Sequence, residues 1–320
     1  MLPLNLLGEH PTMQHLRAEL AHAAQSTLPI VIVGETGTGK ELVVQALHAA
    51  SGCVGELVPV NVAALPDQLA EAELFGVARG AYTGAHVGRA GLLQYAHGGT
   101  LFLDEASDLS PSLQVKLLRV LESGLVRRLG ANSEQRADFR LVLTLQRDPQ
   151  TLVTEGPWRA DFLYRVCGIV LRVPALRERL SDIPLLAAAF LARERRPPLS
   201  AEALQALEGH HWPGNVRELL RVMQRAMLFA RDGAVEAEHL RVSLNSGLIS
   251  TRVSVPQGEQ VSLRAMERQQ IERLLRETGY HIRLTAAMLG ISVATLYRRL
   301  KDYGITRPAE GGISRLLTPN

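Results

Sequence analysis

The sequence predicts an α/β fold, a parallel sheet flanked by helices, that gives way to helices alone in the C-terminal part of the chain. Strand-like runs alternate with helical periodicity from Pro29 to about residue 173, and past that point the strand signals stop. The first strand leads straight into a glycine-rich loop that opens a helix.

Taken in order, PIVIVG from Pro29 reads as a strand, ETGTGK as a glycine loop and ELVVQALHAA as a helix. Further strands are expected at 57–62 (LVPVNV), 100–106 (TLFLDEA) and 139–145 (FRLVLTL), separated by helical segments such as PSLQVKLLRVLESG. Helices follow at 181–195, 200–209 and 214–231, the last opened by WPGN. Residues 242–260 are polar with Gly and Pro and read as a linker. Helical patterning resumes at Leu263 and runs to about Tyr303. The expected division is an α/β unit over 1–172, a helical lid over 173–241, the linker, a helical domain over 261–307 and a tail over 308–320.

At 320 residues the chain is long enough for two or three units, and 46% hydrophobic residues suffice for a core. No apolar run approaches the ~18 residues of a membrane span, and the N-terminus lacks the blocks of a signal peptide. Cys53 and Cys167 are far apart and lack metal-ligand spacing, so reduced, buried thiols in a cytoplasmic protein are expected. The net charge of +3 is uneven: residues 251–320 hold 11 Lys and Arg against 6 Asp and Glu, the remainder 24 against 26. A basic tail on a near-neutral body points weakly to nucleic acid.

Gly34-Glu35-Thr36-Gly37-Thr38-Gly39-Lys40 fits G-x-x-x-x-G-K between a strand and a helix. Backbone N–H groups there would wrap phosphates at a positive helix end, with Lys40 reaching the outer ones, so a nucleotide's phosphates are the expected ligand. The usual Ser or Thr after the lysine is Glu41, which removes one magnesium ligand. A second apolar strand ends in Asp104-Glu105; Asp104 suits Mg2+ and Glu105 suits polarising the attacking water.

Two further stretches stand out. Gly80-Ala81-Tyr82-Thr83-Gly84-Ala85 places an aromatic ring between glycines, the composition of a loop tip rather than a packed element. RLTAAMLGISVATLYRRLK (283–301) reads as helix, tight turn, helix. Small Ala286 and Ala287 would let the helices approach, and Ser292 would cap the second. Thr295, Arg298, Arg299 and Lys301 would lie along that second helix, the basic ones available for phosphate or base contacts.

GETGTGKE, AELFG, GAYTGA, GGTLFLDEA, LQVKLLRVLESG, VPALRERLSDIPLLA and WPGNVREL occur in that order. Together they resemble the AAA+ ATPase domain of bacterial enhancer-binding proteins, the activators of sigma-54 RNA polymerase, over residues 5 to 240. The tail resembles the Fis-type DNA-binding domain of the same proteins. The resemblance implies that Asn61 restrains the catalytic glutamate and that Arg159 and Arg165 reach into a neighbouring subunit's ATP. It also implies that Arg217 senses the phosphates from the lid and that residues 80–85 contact sigma-54. Rings of six or seven copies, a dimeric tail and a palindromic enhancer site follow in the same way. The family's ATNRDL-like stretch is LTLQRDP here, with Leu145 for threonine and Gln146 for the asparagine that senses the γ-phosphate. That departure supports an alternative, a DNA-binding regulator with a weakened or vestigial ATPase. The pattern begins within ten residues of Met1, where such proteins usually carry a sensory domain; regulation in trans by a partner, or truncation, is expected.

Overall fold

The computed structural model describes residues 6–81, 87–230 and 233–245, then residues 268, 271, 272, 274, 275, 278, 280–282, 285, 286, 289, 293–303 and 305. The chain divides into two units, residues 1–250 and 251–320.

The first unit opens with α1 (Pro11–Ala24), β1 (Ile30–Val33), α2 (Lys40–Ala50), β2 (Leu57–Asn61) and α3 (Asp67–Phe75). A two-stranded antiparallel ribbon, β3 (Gly76–Val77) with β4 (Arg89–Ala90), leads to the short α4 (Leu92–Tyr95). Then come β5 (Thr100–Asp104), α5 (Pro111–Ser123) and a second ribbon of β6 (Leu125–Arg127) with β7 (Glu134–Arg136). β8 (Arg140–Leu145), α6 (Pro149–Thr154), α7 (Ala160–Val166) and β9 (Ile169–Arg172) complete it.

The five long strands form one parallel sheet in the order β2-β5-β8-β1-β9. Alternation along each strand divides the core between the two faces. Ile30, Ile32, Phe102 and Val142 join α1 and α2, through Leu16, Leu20, Val44 and Leu47, on one side. Val31, Leu101, Leu103, Leu141 and Leu143 join Leu74, Leu113, Leu117 and Phe162 on the other. Burial on both faces explains why these strands read as near-continuous apolar runs. β9 is an addition to the four strands expected, a short aliphatic run at the sheet edge in which Leu171 alone is fully buried.

Parallel pairing brings the carboxyl ends of the strands to one edge, where Asn61 stands opposite Asp104 and the loop after β1 adjoins the end of β8, the strand between β1 and β5. Ligands of open α/β sheets bind at that edge.

Past β9 the first unit is helical: α8 (Ile183–Arg193), α9 (Ala201–Glu208), α10 (Asn215–Ala230) and α11 (Ala237–Asn245). They pack around fully buried Trp212, whose Nε1 donates to Leu207 O at 2.9 Å. α11 corrects the linker boundary, since residues 242–245 are helical. Its Leu240 is fully buried and Ser243 donates to His239 O at 2.7 Å, so this turn is held by packing that the polar composition concealed.

In the second unit, α12 (Val293–Tyr303) sets Leu296 and Leu300 into a small core with Ile271, Leu275, Ala286 and Ile305. Thr278 and Thr285 hydroxyls lie 2.7 Å apart, and Thr285 N donates to His281 O at 3.0 Å. Cys53 and Cys167 are free thiols, half-buried rather than buried; burial pushes the Cys167 thiol up to about 11.

Candidate nucleotide site and its surroundings

The loop over residues 34–39 turns through Gly37 and Gly39 at φ 81° and 103°, left-handed values that favour glycine. A Cβ on Gly37 would stand 2.3 Å from Gly214 O, so the loop lies directly against the turn that opens α10. Lys40 Nζ donates to Gly34 O at 2.7 Å and to Glu35 O at 3.2 Å. Burial lowers the Lys40 pKa, while the carboxylates of Asp104 and Glu105 oppose that shift. The structure thus brings Lys40, Asp104 and Glu105 together, as the sequence predicts.

Asp104 ends β5 and accepts a short hydrogen bond from the Thr144 hydroxyl. Thr144 Oγ1 also accepts from Glu105 N at 3.1 Å, and Glu105 takes up φ 53°. One buried threonine of β8 therefore holds the Asp104 carboxylate and the backbone N–H of Glu105. It was missed in the sequence because it sits inside an apolar run; its signal is a lone hydroxyl among five aliphatic or basic neighbours in RLVLTL. Leu145 beside it is fully buried in the sheet core. Gln146, one residue further, reaches Glu105: its Nε2 donates to Glu105 Oε1 at 3.3 Å. Asn61 is engaged elsewhere, its Oδ1 accepting from Ala64 N at 3.1 Å. Glu41 is exposed and accepts from Gln45 at 3.5 Å.

The lid closes over the loop through Arg177, Arg179 and Asn215, which the sequence reading did not single out, together with Arg217. Arg177 makes a two-pronged pair with Glu35 at 2.7 and 2.5 Å. Together with the amide of Asn215 this holds the Glu35 carboxyl down at about 2. Arg179, almost wholly buried, donates to Thr38 O at 3.1 Å, and Arg217 N donates to Gly37 O at 3.2 Å. The Arg217 side chain is exposed and near enough to Lys40 to depress its pKa further.

Beside Gly34 and Glu35 opens a cleft of about 1170 Å³ lined by Pro11, Thr12 and His15 of α1 and by Val173, Pro174 and Ala175. Its size accommodates the base and sugar of a nucleotide whose phosphates lie on the loop. Arg159 and Arg165, at the two ends of α7, are exposed. Arg159 pairs with Asp161 at 2.7 Å, and Arg165 donates to Leu121 O.

Gly80, at φ 81°, has open space where a Cβ would stand, and Ala81 packs beside Gly130 of the second ribbon. The β3–β4 ribbon forms the stem beneath this stretch, with Ala78 N donating to Leu129 O at 2.9 Å. Tyr82, Thr83, Gly84 and Ala85 lie outside the described residues, as do Ala287 and Ser292 and the side chain of Lys301. On α12, Thr295 is half-buried and Arg298 exposed, while Arg299 donates to the Tyr303 hydroxyl at 3.4 Å. If Arg298 meets a DNA phosphate, Arg298→Ala will flatten the salt dependence of DNA binding by about one charge. A titration of binding against salt checks this, and an unchanged slope rejects the contact.

Residues 6–172 match the sigma-54 interaction domain, residues 177–255 the AAA+ ATPase lid domain, and residues 262–303 the bacterial regulatory protein Fis family. The anaerobic nitric oxide reductase transcription regulator NorR of Escherichia coli (strain SMS-3-5 / SECEC) is 40% identical over 316 residues, covering 94% of this chain. The chain spans 63% of that relative's length. The response regulator protein PilR of Pseudomonas aeruginosa is 38% identical over 310 residues, covering 94% of this chain and 70% of PilR. Among solved structures, NtrX from Brucella abortus in complex with ATP superposes with a TM-score of 0.69 at 30% identity, covering 95% of this chain and 70% of that one. The Thermotoga maritima RuvB Holliday junction branch migration motor, at 14% identity and a TM-score of 0.55, covers 97% of this chain and 93% of its own and shares the fold alone. A match that takes in over half of the chain in one domain, and continues through the lid and the tail, makes this chain a member of the bacterial enhancer-binding proteins, the sigma-54-dependent activators.

Proposed function

We propose that the chain is a cytoplasmic activator that binds enhancer DNA through residues 261–307, assembles into a ring and uses ATP hydrolysis to remodel the sigma-54 RNA polymerase closed complex. The observation that carries this reading is the meeting of Lys40, Asp104 and Glu105 at the carboxyl edge of the sheet, directly under the lid. In that arrangement the loop amides and Lys40 bind the phosphates, and Glu105 takes the proton of the attacking water. Thr144 holds the Asp104 carboxylate and anchors the backbone of Glu105. Among the described residues there is no cluster of three or more metal-ligating side chains. The carboxylate of Asp104 beside the phosphate loop suits Mg2+, which commonly rests on one or two carboxylates and on substrate phosphates. Asp104 would hold that ion, whose charge neutralises the phosphates.

The alternative, a regulator whose ATPase has decayed, rests on Leu145 and Gln146. The contact of Gln146 with Glu105 speaks against decay, because the substituted side chain still reaches the carboxylate assigned to the attacking water. Tyr82 and Thr83, carried on the β3–β4 stem, are proposed to touch sigma-54 and to move with the nucleotide state. An open-complex assay with sigma-54 RNA polymerase and hydrolysable ATP tests the reading. Activity is expected for the wild-type chain and its loss for Tyr82→Ala, with ATP turnover retained. A Tyr82→Ala protein that still opens the promoter would disprove the assigned contact.

No helix among the described residues is long and apolar enough to cross a membrane.

A further inference from the structure

The carbonyl groups of the phosphate loop are taken up, one after another, by the lid. Thr36 O accepts from Asn215 Nδ2 at 3.1 Å, Gly37 O from Arg217 N at 3.2 Å and Thr38 O from Arg179 at 3.1 Å. In a trans peptide the C=O of one residue and the N–H of the next point opposite ways. Turning these carbonyls toward the lid therefore turns the N–H groups of Gly37 and Gly39 to the other side, the orientation an anion cradle requires, while Thr38 N donates to Glu35 O at 3.4 Å.

Two side chains fasten this arrangement at its start. Asn215 is fully buried and uses both ends of its amide: Oδ1 accepts from Leu176 N at 2.8 Å, and Nδ2 donates to Glu35 Oε2 and Thr36 O, both at 3.1 Å. It holds φ 53°, a left-handed conformation that asparagine tolerates and that surrounding contacts must fix. Glu35 in turn grips Arg177 through both carboxylate oxygens. A lone exposed ion pair would contribute little. Here the pair is bidentate and shares its carboxylate with a buried amide, which adds geometric definition to the charge.

We propose that Glu35, Arg177 and Asn215 are positioning residues for nucleotide, a latch by which the lid holds the phosphate loop in its binding conformation before nucleotide arrives. This rests on the ATPase reading above. Glycines 37 and 39 make the loop costly to order, and an interaction that orders it beforehand strengthens binding without touching the ligand. The amides so arranged meet phosphates common to ATP and ADP, so the latch acts on both nucleotides alike. A group that met the terminal phosphate itself would act on ATP alone.

The test is calorimetric titration of the whole chain with ADP and with a non-hydrolysable ATP analogue, beside steady-state turnover. Arg177→Ala is expected to weaken both nucleotides by a similar factor, roughly five- to tenfold, the scale of losing hydrogen bonds to a charged partner at a half-exposed site. KM should rise by a comparable factor while kcat moves far less, a split that general destabilisation would not produce. Glu35→Gln should give a smaller effect of the same kind, and the double variant should be no worse than Arg177→Ala, because the two act as one unit. If Arg177→Ala does not fold, Arg177→Lys, which keeps charge and loses the fork, is expected to show the same paired weakening at smaller size. Unchanged affinities for both nucleotides would overturn the latch. Weakening for the ATP analogue alone would overturn it too, placing Arg177 on the terminal phosphate. Lys40→Ala separates the two layers: wild-type binding that Lys40→Ala abolishes upholds the nucleotide site even where the latch fails, and a wild-type chain that binds neither nucleotide ends both.

Discussion

Glu105→Gln is expected to bind ATP with near wild-type affinity and to lose hydrolysis by roughly 10²–10³-fold, the scale of removing a positioned general base. The prediction is sharp because the substitution leaves the local hydrogen bonds available. Glu105 N still donates to Thr144 Oγ1, and a glutamine carbonyl still accepts from Gln146 Nε2, as the carboxylate does now at 3.3 Å. What is lost is the capacity to take a proton. Steady-state turnover measured beside nucleotide titration decides it, and wild-type turnover in the variant would remove Glu105 from the mechanism. The Gln146 contact also bears on the departure from the family pattern. In this structure Glu105 is held by Gln146, while Asn61 is occupied with Ala64 N. The longer amide thus sits where it can restrain the glutamate, a task that the resemblance implies for Asn61.

What the sequence revealed and what it concealed divide along the range of the interactions. The phosphate loop and the acidic pair are local: a strand, a turn and a helix place them wherever the chain goes, and their spacing is visible in a dozen residues. The latch is not. Glu35 and Arg177 are 142 positions apart, and Asn215 reaches Glu35 across 180. No periodicity links them, although all three lie in stretches, GETGTGKE, VPALRERLSDIPLLA and WPGNVREL, that the resemblance marks without giving these side chains a shared task. Thr144 was hidden for a different reason, being a single polar side chain in a strand read for its apolar content. α11 was hidden because its buried residues are few and lie in a polar stretch. In the tail, where helical patterning resumes at Leu263, Ile271 and Leu275 pack with Leu296 and Leu300 in a small core.

Arg165→Ala and Arg159→Ala are each expected to retain ATP binding and to lose hydrolysis by roughly 10³-fold, the scale of an arginine supplied to a phosphoryl-transfer site. Among the described residues, neither side chain hydrogen-bonds the phosphate loop, Asp104 or Glu105 of its own chain. A loss of that size would therefore report on a neighbouring copy. The two are not equivalent. Arg159 is held twice by Asp161, at 3.0 and 2.7 Å, and must leave a carboxylate to serve elsewhere. Arg165 is held by the carbonyl of Leu121, so its charge has no counter-ion among the described residues and its release is easier. Arg165→Ala is thus expected to show the larger loss. Two results would mark action between copies: wild-type turnover per chain should rise with protein concentration, and mixing Arg165→Ala with Lys40→Ala chains should restore part of the activity. In such a mixture a Lys40→Ala copy lends its intact Arg165 to the intact phosphate loop of an Arg165→Ala neighbour. Mixed assemblies that form and stay inactive at every ratio would mean that Arg165 acts within its own chain.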